Sequence, residues 1–289
     1  MIDLLRKRLQ TPAAGNAVQE EQALKELLQE LALYALWRGG FFAMAAFQGG
    51  ASLRILHGLP RFSEDLDFIL LKPDPTFQWS HYFESLTTVL EQFGVRCELT
   101  DRSRMDKAVR QAMLKDDSIG RQLDLSFFDA NNARQLRVKL EIDTNPPAGT
   151  NTGWHYLDFP VDFEVCAQDL PSNYALKLHA LLCRPYLKGR DWFDFAWYSK
   201  QKTRPNLQLL ANALNQAGPW QDQIESVDVP WLANALSTKI STINWPLAAQ
   251  DVAPFLPPAE QVSLTLWSKR FFDDKVNKLV QAASGETKP

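Results

Sequence analysis

The sequence predicts an α+β fold, with a mixed sheet in the first half of the chain and a bundle of short helices in the second. Three observations predict it. Short apolar runs of strand length alternate with amphipathic stretches as far as Thr144. From Pro171 onward apolar residues recur at helical spacing (Tyr174, Leu178, Leu181, Leu182). Pro185, Pro205, Pro219, Pro230, Pro254, Pro257 and Pro258 then interrupt the chain without any fixed period, which fits short helices rather than a repeat array.

In chain order, the opening segment to about Arg38 is helical, because Leu24, Leu27, Leu28 and Leu31 repeat at helical spacing among Glu and Lys. An apolar strand from Phe41 to Phe47 ends at Gly49-Gly50, and a helix-like segment follows to Leu56. Further strands are expected over Leu66 to Leu71, Val95 to Leu99, Gln122 to Phe128 and Leu136 to Thr144, with a helix from about Phe77 to Phe93 between them. Asn145-Pro146-Pro147-Ala148-Gly149 breaks the last strand. Beyond it, a helix begins at Ser172 and others near Asp191, Asn206, Asp228 and Pro258, where Ser, Asp or Pro suits a helix start. The tail after Ala282 is expected to fray.

The chemistry concentrates between Gln48 and Leu71. Alternation along a strand turns Asp65 and Asp67 to one face while Leu66 and Phe68 face the core. Two hard oxygen ligands with room for water and phosphate suit magnesium. Upstream, Gly49, Gly50 and Ser52 form a small-residue turn at a helix start, where backbone amides approach phosphate oxygens. Together these are the minimum equipment for moving a nucleotidyl group; separately, an exposed strand face and an ordinary turn explain each.

A second strand repeats the pattern. In Arg137-Val-Lys-Leu-Glu141-Ile-Asp143-Thr, Glu141 and Asp143 share one face, and either completes a three-carboxylate site for two magnesium ions if this strand lies beside the first. Lys177 sits on an otherwise apolar helix, as a snorkelling surface residue or as a point charge for phosphates. Asp191 and Asp194, three apart at a helix start, either stabilise that helix, orient Lys177 or contact an incoming hydroxyl. His57, His81, His155 and His179 lack ligand spacing and read as structural or surface residues.

Composition narrows the classes. The chain of 289 residues is 45% hydrophobic and 22% charged, which is ordinary for a soluble globular protein, and it has no apolar run long enough for a membrane span. The mixed-charge N-terminus lacks a secretory pattern, so a cytoplasmic location is expected. Cys97, Cys166 and Cys183 are widely spaced and odd in number, which suits buried small hydrophobes rather than disulfides or zinc. A net charge of -3 argues against coating nucleic acid. Between Lys177 and Arg204, however, seven Lys and Arg face only Asp191 and Asp194, a local excess of five positive charges among aromatic residues. Such a patch steers a triphosphate or an RNA end, or is a solvated helix face.

Four motifs in order resemble the AbiEii-type nucleotidyltransferase toxins (MenT-like, of type IV toxin–antitoxin systems). Gly49-Gly50-Ala-Ser52-Leu-Arg54 is similar to the family's glycine motif, and Arg61-Phe-Ser63-Glu-Asp65-Leu-Asp67 to its arginine, serine and paired-aspartate motif. Lys177-Leu-His-Ala180 resembles its lysine motif, and Lys188-Gly-Arg190-Asp191-Trp-Phe-Asp194 its closing motif. The resemblance runs to about Tyr198 and carries nothing past Lys200.

It implies a polymerase-β-like nucleotidyltransferase core with an N-terminal helix over residues 1–170. It also implies a helical C-terminal domain over residues 171–289 that contributes Lys177 and Asp191 to the site. Asp65, Asp67, Lys177 and Asp191 are then catalytic, and Asp65, Asp67 with Glu141 or Asp143 bind the metal. Gly49, Gly50, Ser52, Arg54, Arg61, Ser63, Arg190 and Asp194 bind the nucleotide. The expected substrate is a nucleoside triphosphate with Mg2+, the expected acceptor an RNA such as the tRNA 3′ end or else a protein hydroxyl, and the expected partner an antitoxin. A housekeeping enzyme acting on a small molecule and a nucleotide-binding module without turnover share the same motifs.

Overall fold

Pairing of strands places the acidic segments side by side in the computed structural model, which describes residues 2–9, 17–104, 106–116, 118–119, 123 and 135–284. The strands are β1 (Ala45–Gln48), β2 (Asp65–Leu70), β3 (Cys97–Asp101), β4 (Val109–Asp116), β5 (Leu136–Asp143), β6 (Thr152–Leu157) and β7 (Phe163–Gln168). They form one sheet in the order β3-β4-β5-β2-β1-β7-β6. It is mixed: β2 runs parallel to β5 but antiparallel to β1, and β1 runs parallel to β7.

The helices are α1 (Ile2–Leu9), α2 (Ala17–Arg38), α3 (Gly49–His57), α4 (Ser80–Gln92), α5 (Leu170–Cys183), α6 (Gly189–Lys200), α7 (Leu207–Gln216), α8 (Val229–Ser241), α9 (Trp245–Val252), α10 (Pro258–Gln261) and α11 (Lys269–Ser284). The chain divides into two compact units. The first comprises Met1–Gly58, Phe62–Pro146 and Gly153–Ala167; the second comprises Leu59–Arg61, Pro147–Thr152 and Gln168–Pro289.

In the first unit α2 packs on α4 and β5 and buries Leu24, Leu27, Leu28, Leu31, Leu33 and Leu36. Beside it Phe41 stacks on Trp79 and meets Phe68 edge-on, an aromatic knot that excludes water from one face of β2. In the second unit Trp192, Trp245 and Phe272 join α6, α9 and α11, with Trp245 and Phe272 stacked 4.1 Å apart.

Several expectations shift. Phe41–Ala43 is a 3-10 turn rather than strand, and β1 starts only at Ala45, because Gly40 in the left-handed region turns the chain first. The strand expected over Gln122 to Phe128 lies outside the described residues, Leu123 excepted. β4, β6 and β7 were not expected. The helix expected from Ser172 begins at Leu170 instead, because the Asp169 side chain caps it by accepting from the Ser172 amide. Asn206 and Asp228 cap α7 and α8 by the same kind of bond, as their side chains suggest. Asp191 instead lies inside α6. The helix α11 runs through Ala282 to Ser284, and residues 285–289 lie outside the described ones.

Candidate functional site

In the first unit the register fixes which acids meet. Asp67 pairs across the ladder with Glu141 of β5, and Asp65 pairs with Lys139. Directly paired residues project to the same face, so Asp65, Asp67, Lys139 and Glu141 form one polar cluster, while Leu66, Phe68, Leu140 and Ile142 are buried on the other face. Asp143 is two pairs farther along the ladder, opposite Ile69. Its carboxyl is raised above the ordinary range by burial, against a 2.9 Å hydrogen bond from the Asn145 amide. The register thus makes Glu141, rather than Asp143, the acid beside Asp67.

Lys139 is the residue that the sequence did not single out. Its Nζ lies 3.1 Å from Glu141 Oε2 and 3.5 Å from Asp65 Oδ2. Burial pushes this ammonium's pKa down, but Asp65 and then Glu141 outweigh it, and the net shift is upward. The signal was available: Lys139 precedes Glu141 by two residues and so shares its face. Gln111 of β4, opposite Glu141, donates its amide to Glu141 Oε1.

Gly49 is required where it stands. Its φ is +75°, which side-chain-bearing residues rarely adopt, and a Cβ there would lie 2.5 Å from Asp67 Oδ2. The glycine starts α3, and Gln48 supplies no side-chain cap. Gly50 and Ser52 are buried behind it, with the Ser52 hydroxyl donating to the Gly49 carbonyl at 2.9 Å. Arg54 turns to α2, where Nε donates to Glu26 Oε2 at 2.8 Å, and its guanidinium lies over the Phe62 ring. Ser63 presents its carbonyl to Gln29 Nε2 at 2.9 Å.

In the second unit the lysine and closing motifs meet Arg61. Its guanidinium forks onto Asp194 at 2.6 and 2.7 Å, with both side chains buried. Lys177 of α5 lies 2.9 Å from Asp194 and 3.4 Å from Asp191, and Arg184 closes on the other oxygen of Asp191. The cluster holds three cations and two carboxylates, so a positive charge remains. Burial alone would raise the Asp194 carboxyl; Arg61, then Lys177, hold it below its usual range. Both acids thus contact the Lys177 ammonium. Arg190 stacks over Phe255, 4.2 Å from the ring centroid. Gly189 sits where any Cβ would strike the Ala248 carbonyl, which lets α6 approach α9.

Asp65, Asp67 and Glu141 fit a divalent cation in donor chemistry and in sharing one face. Among the described residues no three His, Cys, Asp or Glu side chains already converge as an ion's ligands. Lys139 stands among the acids instead, and it must yield for an ion to enter.

The family model described as "Nucleotidyl transferase AbiEii toxin, Type IV TA system" matches residues 31–278. The nucleotidyltransferase toxin MenT4 of Mycobacterium tuberculosis has a similar structure, with a TM-score of 0.50, 16% identity, and 96% of this chain and 99% of that chain covered. A crystal structure described as a putative nucleotidyltransferase from H. pylori scores 0.48 at 17% identity, over 90% of this chain and 92% of that one. JHP933 from Helicobacter pylori scores 0.49 at 17% identity, over 92% and 91%. None of the curated proteins matches the chain.

Proposed function

Because the chain belongs to the AbiEii nucleotidyltransferase toxin family and shares the nucleotidyltransferase fold, we propose that it transfers a nucleoside monophosphate from a triphosphate to an RNA 3′ end. The observation that carries this reading is the ladder pair Asp67 and Glu141 beside Gly49. The acceptor oxygen bonds to the α-phosphorus, the α–β phosphoanhydride breaks, and pyrophosphate leaves as the hydroxyl proton passes to water.

Asp65, Asp67 and Glu141 are the residues to hold magnesium, which when bound lowers the charge on the triphosphate and activates the acceptor hydroxyl. Gly49, Gly50 and Ser52 let backbone amides approach phosphate oxygens without a side chain in the way. Lys177, fixed by Asp191 and Asp194, supplies a preoriented positive charge for the departing pyrophosphate, assisted by Arg190. Arg61 positions rather than contacts: its fork on Asp194 sets the acid that holds Lys177. An antitoxin is the partner that type IV systems imply, and the cytoplasm the place where triphosphate and RNA are available.

The test is incubation of the protein with total RNA and each of the four labelled triphosphates in magnesium. Label should enter RNA with the wild type and not with Asp67→Ala. Label that enters protein alone, or no label in any fraction, would sink the RNA reading.

A further inference from the structure

The second unit contains a pocket that shares Lys188 and Asp191 with the closing motif but is lined mostly by residues outside the four motifs. It lies between the α5–α6 connection and the α8–α9 connection, with a volume of about 330 Å³. That is within the range of about 300–1,000 Å³ usual for sites that take small ligands. Arg184, Lys188 and Lys239 line it against the single carboxylate of Asp191, an excess of two positive charges. Lys239 Nζ donates to the Arg184 carbonyl at 3.0 Å, which ties the two connections together and fixes where these charges stand. Two exposed apolar side chains complete the rim, Tyr186 at 62% and Leu247 at 52% accessible.

The charges are held at a cost that an anion would relieve. Burial pushes the Lys188 ammonium down; Asp191 attracts it, while Arg184, Lys177 and Arg190 repel it. Half-buried like charges of this kind are relieved by a counter-ion. The exposed ring of Tyr186, with the Arg184 guanidinium 5.8 Å from its centroid, offers a π-face next to those cations. A flat aromatic surface beside a positive groove is how proteins take single-stranded nucleic acid, by stacking a base and pairing its phosphate.

We propose that this pocket binds one nucleotide of a single-stranded RNA, with its phosphate on Arg184, Lys188 and Lys239 and its base on Tyr186 and Leu247. The inference rests on the RNA acceptor proposed above and adds where a strand is gripped. A free nucleotide or inorganic phosphate offers the same anion without a chain.

Fluorescence anisotropy of a short labelled single-stranded RNA, with the full-length protein, decides among them. Lys239→Gln and Tyr186→Ala should each weaken RNA binding roughly tenfold, while Tyr186→Phe, which keeps the ring, should not. Lys239→Gln should also lower the slope of log Kd against log salt by about 0.7. Leu247→Glu, at an exposed position, should repel the strand without unfolding the chain. Affinity for ATP and for inorganic phosphate should stay unchanged in all four. Unaltered RNA affinity in Lys239→Gln and Tyr186→Ala overturns the proposal, as does an equal loss of ATP or phosphate affinity, which would mark a site for free anions. RNA that binds through these residues yet gains no nucleotide supports the pocket and removes the transfer reaction.

Discussion

Gly49 carries two constraints at once, a left-handed backbone and the Asp67 carboxylate against its α-carbon. Gly49→Ala should therefore cost about 1–2 kcal/mol in backbone strain and also push Asp67 off its position. Nucleotide transfer should fall far more than the melting temperature does, and a variant with full activity would show that Asp67 is free to move. Lys139 makes the opposite case, a side chain that competes with the proposed ion. Lys139→Met should tighten Mn2+ or Mg2+ binding several-fold, since removing a cation at about 3–4 Å from two carboxylates removes an attraction of order 1 kcal/mol or more. Calorimetry that finds equal or weaker binding would instead make Lys139 a support for the acids. Asp194 is fully buried between Arg61 and Lys177, so Asp194→Ala should destabilise the protein by about 3–5 kcal/mol in urea unfolding, most of it from two uncompensated cations. Because its folded pKa lies below the unfolded one, Asp194 contributes fully above about pH 4 and loses that contribution as pH falls through the lower folded value. The acid limb of stability should accordingly flatten in the variant.

At the scale of elements, caps and period were legible and register was not. Asn206 and Asp228 stand where a helix must start, and each satisfies an amide of the first turn. Asp228→Ala should cost about 1 kcal/mol in thermal unfolding, with the proposed chemistry untouched. β4 escaped notice because the buried face of Val109-Arg-Gln-Ala-Met-Leu-Lys-Asp116 sets Arg110 and Asp116 at either end of Ala112 and Leu114, so no apolar alternation marks it as a strand. β6 is an edge strand with exposed Trp154 and Tyr156, so its alternation does not point to a core. Whether Glu141 or Asp143 joins Asp67 could not be read from one strand, because both share a face and a shift of two residues exchanges them. Long-range pairing alone settles it.

For the whole molecule, membership of a toxin family makes growth the broadest readout. Induction of the wild type should arrest growth and Asp67→Ala should relieve the arrest at equal expression; arrest by both would disconnect toxicity from the acids. The single boundary expected near residue 170 is cruder than the units found, since Leu59–Arg61 and Pro147–Thr152 group with the helices. Arg61 shows why: it is written four residues before Asp65, yet its fork is with Asp194, 133 positions away. The amino-acid sequence by itself determined which chemical groups are present, their alternation on strands and helices, and through four ordered motifs the family. Those follow from local spacing and residue type. The tertiary structure alone decided that Glu141 stands opposite Asp67, that Lys139 lies among the acids, and that Arg61, Lys177 and Arg184 gather on Asp191 and Asp194. Each of these is a contact between residues distant in the chain, fixed by strand register and helix packing, on which local periodicity is silent.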